Sequence, residues 1–190
     1  FMKELIIAFG LFLFIEGILY ANVGITRNVV ALDATSGQVL WMFRYQEGDR
    51  FDEAPRKGSG RGVSFWTDGD AERIIDVSPG YQLVSLDAKT GIPDSDFGNN
   101  GIVDLFVGVR NGDDPRYAYP EIGLSAPPLV MNDVIVVGAA HRGGGRPRSK
   151  FNTKGDVRGF DVHTGGHDSL VHESTDVHNA PRSRSAWARG

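Results

Sequence analysis

Four short stretches carry side chains that could do chemistry. In Gly58-Ser59-Gly60-Arg61-Gly62, one guanidinium is set in a glycine-rich loop. Arginine is the residue suited to paired, charge-assisted hydrogen bonds with carboxylates. The run superficially resembles a phosphate loop, but a dinucleotide fingerprint must follow a strand and open a helix. This one leads into the strand-like Val63-Ser64-Phe65-Trp66, so that reading fails. Ser125 precedes Ala126-Pro127-Pro128 and offers a hydroxyl, although Ser before Pro is also ordinary turn chemistry. Ala139-Ala140-His141 opens a glycine-rich basic stretch that continues to Arg148, where an exposed loop histidine is the plainer reading of His141. Asp94-x-Asp96-x-Gly98-Asn99-Asn100-Gly101 has the flavour of a calcium loop, yet it lacks the closing Glu of an EF-hand and reads as a turn. His163 and His167 are four apart, a spacing that pairs ligands only on a helix, and the Thr-Gly-Gly between them opposes one.

The elements that must position these residues repeat along the chain. Val30-Ala31-Leu32-Asp33-Ala34-Thr35-Ser36-Gly37 recurs as Val84-Ser85-Leu86-Asp87-Ala88-Lys89-Thr90-Gly91, and again as Arg158-Gly159-Phe160-Asp161-Val162-His163-Thr164-Gly165. Each copy is an apolar strand ending in Asp, then a polar turn closed by Gly. The carboxylate accepts turn N–H bonds and the Gly takes positive φ, so each copy encodes a hairpin. A further apolar strand precedes each copy, at Ile18–Tyr20, Arg73–Val77 and Val134–Gly138, and the third copy carries a long insertion between the two. Val63–Trp66 and Leu129–Met131 open the later units, which makes the unit a four-stranded antiparallel meander A-B-C-D. Four-stranded units at this repeat length are propeller blades. The count is B-C-D, A-B-C-D, A-B-C: about two and a half blades of an all-β propeller, fewer than the roughly four that a ring needs to close. The meander puts the D-to-A loops, which end at Arg61 and Ser125, at the same end as the B-to-C loop opened by Ala139–His141. All three can converge on one ligand.

Composition narrows the function. Apolar residues make up 41% of the 190, charged residues 23%, and glycine, at 25 residues, is nearly twice its usual share of ~7%. With no cysteine, disulfide scaffolds, thiolate metal sites and catalytic cysteines are excluded. A net charge of −4 gives no reason to expect nucleic acid as a partner. The charge is uneven: residues 1–140 hold 11 basic and 19 acidic side chains, residues 141–190 hold 9 and 5, and all five histidines lie in the second stretch. Leu5–Tyr20 is an apolar run broken only by Glu16. It is shorter than the ~20 residues of a spanning helix and closer to a signal-peptide core. Residues 1–16 are therefore expected to be a signal- or anchor-like segment, and the protein to be exported or membrane-tethered. After Gly165 no fourth strand is legible, and 166–190 reads as an irregular, out-of-frame tail following blades at 17–165.

Ala31-x-Asp33-x-x-Ser36-Gly37-x-x-x-Trp41 resembles the tryptophan-docking blade motif of the eight-bladed quinoprotein dehydrogenases, in which the Trp packs onto a neighbouring blade. Ser59-Gly60-Arg61-Gly62-Val63-Ser64-Phe65-Trp66 looks like that family's Arg-Gly-(Val/Leu)-(Ala/Ser)-aromatic segment. Ser125-Ala126-Pro127-Pro128-Leu129-Val130 and Gly155-Asp156-Val157-Arg158-Gly159-Phe160-Asp161 are similar to its membrane-bound glucose dehydrogenase branch. The resemblance implies oxidation of an aldose sugar or alcohol with pyrroloquinoline quinone (PQQ) and a calcium or similar ion. Electrons would pass to ubiquinone or a cytochrome on the periplasmic side, with association to the inner membrane. It implies that the cofactor lies over the propeller axis at the end carrying the D-to-A and B-to-C loops. There Arg61 matches a cofactor-contacting Arg and Ser125 a hydroxyl contact, with Ala140 and His141 in the adjoining loop. His141-Arg142 departs from the small residue and carboxylate or amide that relatives place near the metal. The family's general-base Asp and ion-holding Asn come from later blades, so no catalytic residue is assigned here. The alternative is a non-enzymatic propeller serving as a scaffold or assembly module.

Overall fold

The computed structural model describes residues 7–9, 12–58, 62–110, 121–124, 126–142 and 152–173. The first sheet holds β1 (Ile7–Phe9), β2 (Phe12–Ile15), β3 (Ile18–Val23), β4 (Asn28–Asp33) and β5 (Val39–Phe43), each antiparallel to the next. A short helix, α1 (Asp49–Glu53), stands in the connection to the second sheet. That sheet is β6 (Ser64–Thr67), β7 (Glu72–Val77), β8 (Gln82–Asp87) and β9 (Ile102–Asp104). After β10 (Ile122–Gly123) comes the third, built from β11 (Leu129–Met131), β12 (Val134–Val137), β14 (Val157–Asp161) and β15 (His167–Glu173). The remaining strand, β13 (Ala140–His141), leaves the third sheet to pair with β10.

The three C-to-D turns are built alike, as the repeat requires. Asp33 Oδ1 accepts from the amides of Thr35 and Ser36 and from the Ser36 hydroxyl. Asp87 does so from Lys89 and Thr90, and Asp161 from His163 and Thr164. In each turn the closing glycine, Gly37, Gly91 or Gly165, donates its amide to the Asp carbonyl at 2.8 Å, with φ of 72°, 71° and 69°. Hydrogen bonds to the charged form hold Asp33 and Asp161 below the usual carboxylate range.

Two apolar layers join the three sheets. Ile15, Tyr20, Val29, Ile74, Val84 and Leu86 fill the space between the first and second. Ile75, Val77, Leu83, Ile135, Val137 and Phe160 fill that between the second and third. The division follows the strand period: in β7, Ile74 points to one neighbour while Ile75 and Val77 belong to the other layer. Because the middle sheet is covered on both faces, successive residues of its central strands, Ile74 and Ile75 in β7 and Leu83 and Val84 in β8, are all buried.

Two expectations change. Residues 12–15, assigned to a signal- or anchor-like segment ending at 16, form strand A of the first blade, with Leu13 and Ile15 buried in the inter-sheet layer. An uninterrupted apolar run looks the same in a buried strand and in an export core, and packing decides between them. Nor is 166–190 irregular throughout. His167–Glu173 is the fourth strand of the third blade, with His167 opposite Phe160 and Asp168 opposite Gly159. The described residues thus form three blades, two of four strands and the first with β1 as a fifth, against the two and a half expected. Residues 174–190 lie outside the described residues. Among the described residues, no helix is long and apolar enough to cross a membrane.

Candidate cofactor face

At the end of the sheets opposite the Asp turns, loops from all three blades meet. Arg27 is their junction. It sits in the B-to-C turn of the first blade, directly before β4, at φ 51°, and is 3% exposed. Its guanidinium donates to Gly58 O at 3.0 Å and to Arg56 O, both in the D-to-A loop between blades one and two. It also donates to Val77 O, at the end of β7, at 3.0 Å, and to Leu124 O, in the next D-to-A loop, at 3.1 Å. Tyr81 holds the same place in the second blade, directly before β8, at φ 63°. Its hydroxyl donates to Gly138 O of the third blade at 2.9 Å, and burial pushes that hydroxyl's pKa up. Bulky residues in the left-handed region are strained, so each must be held there by its surroundings. Here the holding contacts are across blades.

The first D-to-A loop is fastened to the second blade through α1. Arg50 reaches Asp104 with both outer nitrogens, at 2.8 and 2.5 Å, and donates through Nε to Gly80 O at 2.7 Å. Glu47 accepts from Ser78 Oγ at 2.5 Å and from the Gly80 amide at 3.0 Å, and burial raises its pKa despite these donors. Farther along the same loop, Arg56 donates to His141 O, while Arg142 donates to Glu53 O at 3.0 Å. Two arginines on opposite strands of the gap thus lace this loop to the B-to-C loop of the third blade. Asp76 lies just beneath, 4% exposed, with its pKa pushed up to about 6 by burial against the opposing pull of Arg27 and the Asn22 amide. It is enclosed between blades.

Of the residues singled out in the sequence, Arg61 and Ser125 lie outside the described residues. Ala140 and His141 form β13, with Ala140 opposite Gly123 and His141 opposite Ile122. The ribbon therefore joins the B-to-C loop of blade three to the D-to-A loop that leads to Ser125. The His141 ring turns back on its own loop: Nε2 stands 2.9 Å from Thr153 O, and a Cβ on Gly155 would meet Cε1 at 2.9 Å. Arg27, Arg56 and Tyr81 were not picked out from the sequence. The repeat held a signal for two of them, since Arg27, Tyr81 and Gly155 each stand six residues before the Asp of their copy. Among the described residues, no group of three or more His, Cys, Asp or Glu side chains is placed to hold a metal ion. A shallow cleft of about 380 Å³ lies at the outer rim, lined by Arg44, Tyr45, Glu47 and Phe51.

Three antiparallel blades, two of four strands and one with an extra edge strand, packed face to face with their loops converging at one end, define part of a β-propeller. Residues 12–187 match the family described as the β-propeller domain of PQQ glucose/ethanol/alcohol dehydrogenases, and the chain belongs to that family. It is 25% identical over 173 residues to the glycerol dehydrogenase large subunit of Gluconobacter oxydans, a match covering 86% of this chain and 22% of that protein. With the quinoprotein glucose dehydrogenase of the same organism it shares 31% identity over 155 residues, covering 73% of this chain and 18% of the other. The fold is also that of a quinohemoprotein alcohol dehydrogenase from Pseudomonas putida HK5, at a TM-score of 0.57 and 24% identity over 82% of this chain and 19% of that one. The chain spans about a fifth of the length of these relatives.

Proposed function

We propose that the chain is part of a PQQ-dependent oxidoreductase that oxidises an aldose sugar or an alcohol and passes electrons to a quinone or a cytochrome. One observation carries the reading: the D-to-A and B-to-C loops of all three blades are drawn together at one end, around Arg27 and the β10–β13 ribbon. The donor set suits a planar polycarboxylate at one point, where Arg56 Nε is a buried donor with no partner among the described residues. Arg61 and Ser125 would contact the quinone, and Ala140 and His141 would flank it. When bound, the quinone takes up the electrons released by the substrate. The chain's own residues do the positioning. Arg27 and Tyr81 lock adjacent blades, Arg50 and Glu47 pin the first D-to-A loop, and Arg56 and Arg142 set its distance from His141. A calcium or similar ion would need ligands from outside the described residues, so no step is assigned through it. The periplasmic location and the association with the inner membrane rest on the family resemblance.

Titrating the chain with PQQ, while following the fluorescence of its three tryptophans, tests the reading. Saturable quenching that is lost in Arg61→Ala supports it. Quenching that rises linearly to high quinone without saturating would sink it.

A further inference from the structure

We infer that Arg56 is an additional ligand-contacting residue on this face, offering its Nε–H to a carboxylate of the bound quinone. The inference rests on the reading above. Arg56 sits in the first D-to-A loop, and its backbone is fixed because its carbonyl accepts from the Arg27 guanidinium. Its stem lies against the ribbon, where a Cβ on Gly123 would stand 3.2 Å from Arg56 Cβ. Its Nη2 donates to His141 O, which sets the direction of the guanidinium. The remaining edge atom, Nε, is buried and has no hydrogen-bond partner among the described residues.

A buried guanidinium N–H left without an acceptor is costly, so the position calls for one. The guanidinium cannot lose its charge at physiological pH, so an anionic oxygen suits it best. The adjacent Nη2 is already committed to a neutral carbonyl, which holds the fork in plane and leaves Nε pre-aimed. Pre-aimed donors lose less entropy on binding than free ones. The nearby cations, Arg27 and Arg142, are engaged with backbone carbonyls of the same loops, and the Glu121 carboxylate beside the ribbon accepts from Thr153 Oγ1 at 3.1 Å, so none of these groups satisfies Arg56 Nε. Residue Arg56 thus has two roles that can be separated: it holds His141 in place, and it presents a donor to the ligand.

The test compares PQQ with its trimethyl ester, which keeps the ring system and lacks the carboxylate charges. Both are titrated into the parent chain, Arg56→Gln and Arg56→Lys, with Trp fluorescence as the readout and near-ultraviolet circular dichroism as the check on folding. The expected result is a loss of at least about tenfold in PQQ affinity in both variants, with ester affinity held within about twofold. Lys retains the charge and the stem but lacks the Nε–H, so it remains informative if Gln disturbs the fold. If PQQ binds the variants as tightly as the parent, a water satisfies Nε and the inference fails. If acid and ester weaken together, Arg56 acts only through the His141 loop, and the ligand contact is refuted. If the parent chain binds neither probe, the quinone reading falls first and takes this inference with it.

Discussion

The indole of Trp41 occupies the space that a side chain on Gly91 would need: a Cβ there would stand 2.5 Å from Trp41 Cε3. The indole N–H also donates to Ala88 O at 3.0 Å, so the first blade is fastened to the C-to-D turn of the second by both shape and polarity. The next junction repeats the device with other residues. Gly165 is approached by Val103, whose Cγ2 would be 2.5 Å from an added Cβ, and by Phe97 Cζ at 3.2 Å, and Thr164 O accepts from the Gly98 amide at 2.8 Å. Phe97 is fully buried, and together with Val103 it covers the glycine that the tryptophan covers at the first junction.

Gly91→Ala and Gly37→Ala separate the two demands on these glycines. Both residues take φ near +70°, but nothing lies within 4 Å of a Cβ on Gly37. Gly37→Ala is expected to cost about 1 kcal/mol from the left-handed backbone alone. Gly91→Ala must in addition displace the indole and is expected to cost about 3 kcal/mol or more. Urea midpoints of the two variants measure the difference, and equal shifts would show that Trp41 moves aside freely.

Trp41→Phe keeps most of the apolar contact and drops the hydrogen bond to Ala88 O, for an expected loss of about 1 kcal/mol. Trp41→Ala also removes the ring from a half-buried site, and about 2–3 kcal/mol is expected. Thermal unfolding of both, followed by far-ultraviolet circular dichroism, gives the ordering. An alanine variant as stable as the phenylalanine one would show that the ring contributes nothing at this junction.

Tyr81→Phe leaves the Gly138 carbonyl without its donor at the rim of the third blade. A loss of about 1–2 kcal/mol is expected, with faster amide exchange confined to the β12–β13 corner. Exchange that quickens evenly across all three sheets would contradict a local role.

The Asp76 carboxylate sets a pH dependence whose sign is fixed by its raised pKa of about 6. The folded chain holds this proton more tightly than the unfolded one, whose Asp titrates near 3.9, so stability from this group is present at low pH. It is lost as pH rises from about 4 to about 6. Glu47, also shifted upward by burial, adds a slope of the same sign. Asp76→Asn is expected to flatten the profile in that window, measured as urea midpoints at pH 4.5 and 7. An unchanged slope would show that Asp76 is already ionised throughout.

The turns were legible because their signals are local: an Asp, a hydroxyl residue three positions on and a Gly one further specify the hydrogen bonds without help from the rest of the chain. The docking Trp41 was legible for the same reason. Strand β2 was hidden because Phe12–Ile15 is apolar throughout, and only its packing on Ile74 and Leu86 gives it an identity. β15 was hidden for the opposite reason. His167-Asp168-Ser169 has little strand propensity, and the ladder with β14 supplies what the residues lack. At the cofactor face the D-to-A and B-to-C loops could be assigned to one end from topology alone. That Arg27 and Arg56 bind them together could not, since their partners lie far away in sequence.

Arg27 also imposes an order in time. Its acceptor Val77 O comes 50 residues later and Leu124 O 97 residues later. At ribosomal rates of about 5–20 residues per second, the nascent chain waits roughly 5–20 s between making the arginine and making its last carbonyl. Until then the guanidinium has its acceptors at Arg56, Gly58 and Val77 but not the one at Leu124. The first junction is therefore completed only by a segment belonging to the next.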